Sequence, residues 1–316
     1  MLQKGRVVKS TGSWVSVCAD TDGDIIQCKM KGKLRLSDIR STSPVAVGDI
    51  VDMDITGPGN TGVIESIYPR KNYIVRKASN LSKESHILAA NLDQAFIIVT
   101  LVKPKTSLEF VDRFLVSAKA YGVPVVIIFN KKDLYGADEI EQLAVYEYIY
   151  RNIGYNTLST SIVSSENIDK VSDLLKDKVT LISGNSGVGK SSLVNAVDPS
   201  CNLKTGIIST AHLKGKHTTT FAEMYRIGNG GYIVDTPGIK GFGMVHLDRE
   251  EIYHFFPEIF EESSNCQYHN CLHLSEPKCA VIQAVEDGRI SWSRYASYLS
   301  IMEEFEDDNK YRPMGY

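Results

Sequence analysis

The sequence predicts a three-part, multi-domain chain. An N-terminal β-barrel of OB-fold type is followed by a central α/β P-loop domain and a mainly helical C-terminal segment built around a metal site. Three observations carry this reading. Short apolar–polar runs separated by turns fill residues 1–68, strands then alternate with helices, and three cysteines with two histidines crowd residues 266–279. The expected divisions are 1–68, 69–243 (with a leading-in linker over 69–90) and 244–316.

The barrel strands are read from Arg6-Val7-Val8, Trp14 to Cys18, Ile25 to Cys28, Asp49 to Met53 and Gly62 to Ile67, with Asp22-Gly23 and Gly57 to Asn60 as turn chemistry between them. Five such strands in so short a stretch suit a small closed barrel. Tyr68-Pro69-Arg70-Lys71 breaks the pattern and starts the linker. The continuous apolar run Ala95 to Thr100 then reads as a strand buried on both faces. After it come a helix over 107–121, a strand over 123–129, a helix over 138–152, a strand near Thr157 and a helix over about 165–176. The strand Val179 to Ile182 delivers the chain to Gly184, and a helix starts at about Gly189. This alternation implies a mainly parallel, doubly wound sheet with ligands at the carboxyl ends of its strands. From Met244 onward the patterning is helical and ends in the acidic run Glu303 to Asp308.

Composition narrows the function classes. The 316 residues, 43% hydrophobic and 23% charged, are those of an ordinary globular protein of two or three domains. No apolar run approaches the roughly 20 residues of a membrane helix, and the N-terminus lacks signal-peptide character, so a cytoplasmic protein without a membrane partner is expected. A net charge of −3 disfavours a generic nucleic-acid coat protein. The charge is uneven, with fourteen Asp/Glu against six Lys/Arg from Asp248 onward. Basic residues gather at Lys29, Lys31, Lys33, Arg35 and Arg40, and again at Arg70, Lys71, Arg76 and Lys77, forming either a basic face or solvated strand positions.

Two strings carry nucleotide chemistry. Gly184 to Ser191 reads G-N-S-G-V-G-K-S, a phosphate loop. The backbone of Gly184, Asn185, Ser186, Gly187, Val188 and Gly189 would crowd a diphosphate, Lys190 would reach the terminal phosphates, and Ser191, followed by Ser192, would offer a hydroxyl to Mg2+. Asn130-Lys131-Lys132-Asp133, at the end of an apolar strand, looks like the guanine-reading element of GTPases. There the Asp133 carboxylate would accept from guanine donors that adenine lacks, and the Lys131 stem would lie along the purine. Ser159-Thr160-Ser161 takes the place of the supporting base loop, with Ser159 and Ser161 as contacts. Asp235-Thr236-Pro237-Gly238 follows a strand and fits the D-x-x-G element in which Asp235 holds Mg2+ through water and the Gly238 N–H meets the γ-phosphate. Between them, Gly215-Lys216-His217-Thr218-Thr219-Thr220 fits a switch loop whose Thr219, or alternatively Thr218, completes the Mg2+ shell. The guanine reader precedes the phosphate loop, the reverse of the common order. The central domain is therefore expected to be a circularly permuted GTPase domain.

Cys266-x4-Cys271-x-His273-x5-Cys279 supplies three thiolates and one imidazole, a donor set for one structural Zn2+. His269 is the alternative fourth ligand. Cys18, Cys28 and Cys201 need no special role.

This order of motifs, between a barrel and a Cys/His C-terminus, resembles the ribosome small-subunit-dependent GTPase family known as RsgA or YjeQ. Gly215 to Thr220, Asp235 to Gly238 and Ala90-Asn91-Leu92-Asp93-Gln94 are similar to that family's switch elements and to its approach into the GTPase domain. The resemblance implies a late assembly factor of the small (30S) subunit that binds 16S rRNA and GTP/GDP and leaves after subunit-stimulated hydrolysis. A monomer is the default. The barrel, with its basic residues and Trp14, is the better candidate for rRNA contact, although Trp14 is read first as a core residue. Ile239 stands where many GTPases place a water-orienting Gln, so slow intrinsic hydrolysis is expected. His217 is the candidate to supply the missing function, or else an rRNA phosphate contact. Lys240-Gly241-Phe242 departs from the family's commoner pattern. The rivals are a metabolic P-loop enzyme, opposed by Asn130 and Asp133, a non-hydrolysing RNA-binding module, opposed by Lys190, Ser191 and Asp235, and a permuted GTPase of the large subunit.

Overall fold

The computed structural model describes residues 2–11, 14–21, 23–31, 44–57, 61–77, 85–203, 222–235 and 247–310. Strands β1 (Leu2–Ser10), β2 (Val15–Ala19), β3 (Ile25–Met30), β4 (Ile50–Gly57) and β5 (Thr61–Ile67) close a barrel in the order β1–β2–β3–β5–β4–β1. All pairings are antiparallel except β3 with β5. Alternation drives the closure. Val7, Val15, Val17, Ile26, Val51, Met53 and Ile64 point inward to one core, and the residues between them face out. Gly5 is required by close approach, since a Cβ there would stand 2.7 Å from the Cys18 carbonyl.

The segment expected to be linker instead contains a hairpin, β6 (Tyr73–Lys77) with β7 (Ser85–Ala90). Its strand signal is diluted by the charges around Ile74 and Val75. The central domain follows with β8 (Gln94–Val99), α1 (Leu108–Ala120), β9 (Val125–Phe129), α2 (Ala137–Asn152), β10 (Asn156–Ser159), α3 (Ile168–Leu175), β11 (Val179–Ser183), α4 (Lys190–Val197), β12 (Glu223–Arg226) and β13 (Tyr232–Asp235). The strands lie in the order β10–β9–β8–β11–β13–β12, and the first five are parallel. Every residue of β8, β9 and β11 is buried, as strands covered on both faces must be. The short strand β12, not foreseen in the sequence, runs antiparallel to β13 on one side and to β1 of the barrel on the other, so one sheet of 11 strands spans both parts.

The C-terminal segment is helical, with a 3-10 turn (Arg249–Phe255), α5 (Pro257–Ser263), α6 (Ala280–Glu286) and α7 (Trp292–Lys310). Its core, centred on Ile252, Phe256, Ile259, Val281 and Tyr298, takes in Val116 from α1 of the central domain. A buried charge network fixes the junction. Arg294 of α7 lies 2.6 Å from both Asp112 of α1 and Glu258 of α5, and Tyr150 of α2 donates to Asp112 at 2.8 Å. The Phe256 ring sits 4.6 Å beneath the guanidinium. Among the described residues, no helix is long and apolar enough to cross a membrane.

Two further sequence expectations are overturned. Trp14 is not a core residue: it is 39% exposed, one position before the inward-facing Val15, with Lys29 Nζ 4.7 Å above its ring. Arg70 and Lys71 do not form a free basic face. Arg70 is buried in a two-toothed pair with Asp49 (2.6 and 2.7 Å), and Lys71 pairs with Asp93. Lys29 and Lys31 are exposed, whereas Lys33, Arg35, Arg40 and the side chains of Arg76 and Lys77 lie outside the described residues.

Replacing Arg294 with Ala leaves two carboxylates buried without their cation. Chemical denaturation should show a loss of about 3–5 kcal/mol. Arg113→Ala, which removes partly exposed pairs with Glu109 and Glu304, should cost at most about 1 kcal/mol in the same assay.

Candidate nucleotide site and metal centre

The reversed motif order disappears in space. β11, which feeds the phosphate loop, is separated from β9, which feeds Asn130, only by β8, and all three end on the same edge of the parallel sheet. Asn130 is wholly buried there. Its Nδ2 donates to the Val188 carbonyl at 2.9 Å, and its Oδ1 accepts from the Thr160 hydroxyl at 3.0 Å. Lys131 adopts a left-handed conformation (φ 64°), and its Nζ donates to the carbonyls of Lys103 and Gly187, both at 2.6 Å. The exposed Asp133 accepts from Ser161 Oγ at 2.6 Å, which steadies a carboxylate open to solvent. Ser159 contributes through its carbonyl, which accepts from Asn167 Nδ2 at 2.8 Å. Sequence reading missed Tyr135, whose hydroxyl donates to the Asn130 carbonyl at 2.7 Å and accepts from Leu101 N–H at 3.1 Å.

The phosphate loop owes its shape to its glycines. Gly184 (φ +143°), Gly187 (φ +84°) and Gly189 (φ +97°) all occupy backbone regions that other residues avoid. A Cβ at Gly184 would lie 2.4 Å from the Ile98 carbonyl, and one at Gly189 would lie 2.5 Å from Asn130 Nδ2. Ser186 and Gly187 face solvent, Val188 anchors the loop in the core, and Ser191 and the half-buried Ser192 begin α4. Lys190 is buried and donates to the carbonyls of Gly184 (2.7 Å) and Asn185 (2.8 Å). Burial pulls its amine down to about 8, although Asp235 works against this. Asp235 ends β13, the strand beside β11, and burial pushes its carboxyl up to about 6, with Lys190 opposing and Glu223 adding to the shift. A buried amine and a buried hydroxyl at the start of α4 and a carboxylate at the end of the neighbouring strand β13 thus flank the glycine-rich loop, a donor set matched to a phosphate–Mg2+ group. His217, Thr218, Thr219, Gly238 and Ile239 lie outside the described residues.

The metal donors also come together. Cys266 Sγ and Cys279 Sγ are 3.9 Å apart, and each lies 3.5 Å from His273 Nδ1. With Cys271, all four donor atoms fall within 4.8 Å of one another. A tetrahedron with metal–sulfur bonds of about 2.3 Å and a metal–nitrogen bond of about 2.0 Å has S–S edges near ~3.8 Å and S–N edges near ~3.5 Å. The site could therefore hold a metal ion, and His269, exposed at the surface, is not one of its donors. The knuckle is braced by contacts absent from the motif. Tyr295 donates to the His273 carbonyl at 2.7 Å, Tyr298 to the Leu272 carbonyl at 2.5 Å, and Glu276 accepts from the Leu272 and Leu274 N–H groups at 2.8 Å.

Strand order and site together define a circularly permuted GTPase. Residues 67–245 match the RsgA GTPase family and residues 4–64 match the RsgA N-terminal domain. A relative from Bacteroides fragilis, named small ribosomal subunit biogenesis GTPase RsgA, is 54% identical over 98% of this chain and 99% of its own. One of the same name from Christiangramia forsetii is 50% identical over 96% and 97%. Among solved structures, YjeQ from Thermotoga maritima is similar at a TM-score of 0.77, with 34% identity over 96% of this chain and 99% of that one. YloQ, described as a circularly permuted GTPase, is similar at 0.75, with 31% identity over 100% and 98%. The chain belongs to the RsgA GTPase family.

Two outcomes follow from the geometry. Phosphate favours the charged form of Lys190, so above about pH 8 the free protein must take up a proton to bind nucleotide. GTP affinity should fall by up to about tenfold per unit as pH rises beyond that point, with proton uptake visible by calorimetry in two buffers. Metal analysis should find one ion per chain in the wild type and in His269→Ala, and none in Cys271→Ser.

Proposed function

We propose that this chain hydrolyses GTP as a late-acting factor in biogenesis of the small ribosomal subunit, binding 16S rRNA and leaving when the subunit stimulates hydrolysis. The observation that carries the reading is the meeting of Asp133, the phosphate loop and Asp235 at one sheet edge, in a chain similar over its whole length to relatives named for that process. The three parts follow 1–68, 69–243 and 244–316, with the barrel as the rRNA-contacting part and zinc as the ion at Cys266, Cys271, His273 and Cys279. A cytoplasmic monomer is the working form.

The site residues are assigned the following roles. Asp133, steadied by Ser161, accepts from the guanine donors, while Asn130, Lys131 and Ser159 hold the loops around the base. Gly184, Asn185, Ser186, Gly187, Val188 and Gly189 present backbone amides to the phosphates, and Ser192 supports the end of the loop. Lys190 exchanges its two carbonyl partners for phosphate oxygens and stabilises the charge that develops on them. Ser191, Thr219 and Asp235 would hold Mg2+, which would supply positive charge against the phosphates, and Gly238 would stand beside the γ-phosphate. Ile239 cannot orient a water, so basal turnover is slow and His217 assists only on the subunit.

The test is GTP turnover alone, with small subunits and with large subunits. A slow basal rate raised only by small subunits and abolished by Lys190→Ala is the expected result. Stimulation by large subunits alone, or by neither, would overturn the small-subunit reading. His217→Ala should lower the stimulated rate by about 100-fold or more while leaving GTP affinity intact.

A further inference from the structure

A row of three charged residues crosses the seam between the barrel and the nucleotide domain. Glu223 of β12 stands opposite Asp235 of β13 on one side and opposite Lys9 of β1 on the other. Their sequence neighbours Val8, Met224 and Val234 all enter the core cluster on one face of the sheet. Alternation sends Glu223 and Asp235 to the other face, and Lys9, just past a bulge in β1, joins them there through its contact with Glu223. Lys9 Nζ lies 3.1 Å from Glu223 Oε1, and the Tyr225 hydroxyl donates to Oε2 at 3.1 Å, so both carboxylate oxygens are engaged. Asp235 is in turn level with Ile182, one residue before the end of the strand that feeds the phosphate loop. By strand register the row leads from the barrel to the strand that feeds the phosphate loop.

We propose that Glu223 is a positioning residue that couples Mg2+·GTP occupancy to the barrel, its carboxylate being shared between Lys9 and the cation held at Asp235. This rests on the reading of Asp235 as part of the Mg2+·GTP site. A second carboxylate beside Asp235 deepens the negative potential that attracts a divalent cation, and the Lys9 ammonium offsets part of it. A cation at Asp235 draws on Glu223 and weakens its hold on Lys9. By reciprocity, anything that pulls Lys9 away, such as phosphate groups on an RNA partner, tightens Mg2+·GTP binding.

The test measures the Mg2+ concentration that half-saturates GTP binding, using a fluorescent GTP analogue and the full-length chain. Lys9→Met should lower that concentration by about two- to fivefold and Glu223→Gln should raise it by a similar factor. In the Glu223→Gln background, Lys9→Met should add nothing, because Glu223 is what brings Lys9 near. Hydrogen exchange supplies an independent readout. Mg2+·GTP should speed exchange of the β1 amides around Lys9 in the wild type and not in Glu223→Gln. Circular dichroism establishes that each variant is folded, and Lys9→Met, at a half-exposed position, serves alone if Glu223→Gln is not. Strictly additive effects, or folded variants with unchanged Mg2+ dependence, would overturn the coupling while leaving the nucleotide site standing. A wild-type protein that binds no GTP at any Mg2+ concentration would overturn both.

Discussion

The side-chain amide of Asn130 is the contact on which the nucleotide site depends. It is wholly buried, it holds the phosphate loop through the Val188 carbonyl, and it receives Thr160 from the supporting base loop. One residue thereby ties three loops that the chain visits at widely separated points. A buried amide left without partners costs about 1–3 kcal/mol, so each loop helps to enforce the position of the others. Gly189 exists in the service of this contact, since any side chain there would strike Asn130 Nδ2. Lys131 reinforces the same junction from outside through the Gly187 and Lys103 carbonyls. Circular permutation is tolerated because this junction depends on which strands are neighbours in the sheet and not on the order in which they are made.

Around that centre, the two flanking parts are joined by buried guanidinium groups. Arg294 brings α1, α5 and α7 together, and Arg70 joins the segment after β5 to Asp49 at the start of β4. Buried ion pairs add little net stability compared with apolar packing, but they penalise misplacement heavily and so fix geometry. The resulting frame is continuous. The sheet passes from barrel to nucleotide domain through β12, and the core of the C-terminal segment takes in Val116 of α1. Motion at the phosphates therefore has a covalent and hydrogen-bonded route to the barrel.

Much of this was legible in the sequence, for identifiable reasons. Strands buried on both faces, such as β8 and β9, announce themselves as unbroken apolar runs, and the phosphate loop and metal knuckle are local strings whose spacing is itself the signal. The contacts that join distant segments were not legible. Nothing near Arg294 or Arg70 in sequence marks them as buried, and charge alone suggests solvent or nucleic acid. Tyr135 and Glu276 act by reaching backbone groups, which leaves no pattern in side-chain spacing. The aromatic character of Trp14 suggests a core residue, whereas its position one residue before the inward-facing Val15 decides its exposure. The hairpin β6–β7 and strand β12 leave little strand signal because they are short and β6 and β12 carry charge at their ends.

If loops reversed in chain order close into one guanine-selective site, equilibrium titration with GTP and with ATP under the same Mg2+ conditions will separate the two nucleotides. Binding of GTP with ATP weaker by about three orders of magnitude, and loss of that preference in Asp133→Ala, is the predicted result. Equal affinity for the two nucleotides would show that Asp133 does not read the base, and that Asn130 ties the loops together for a purpose other than guanine recognition.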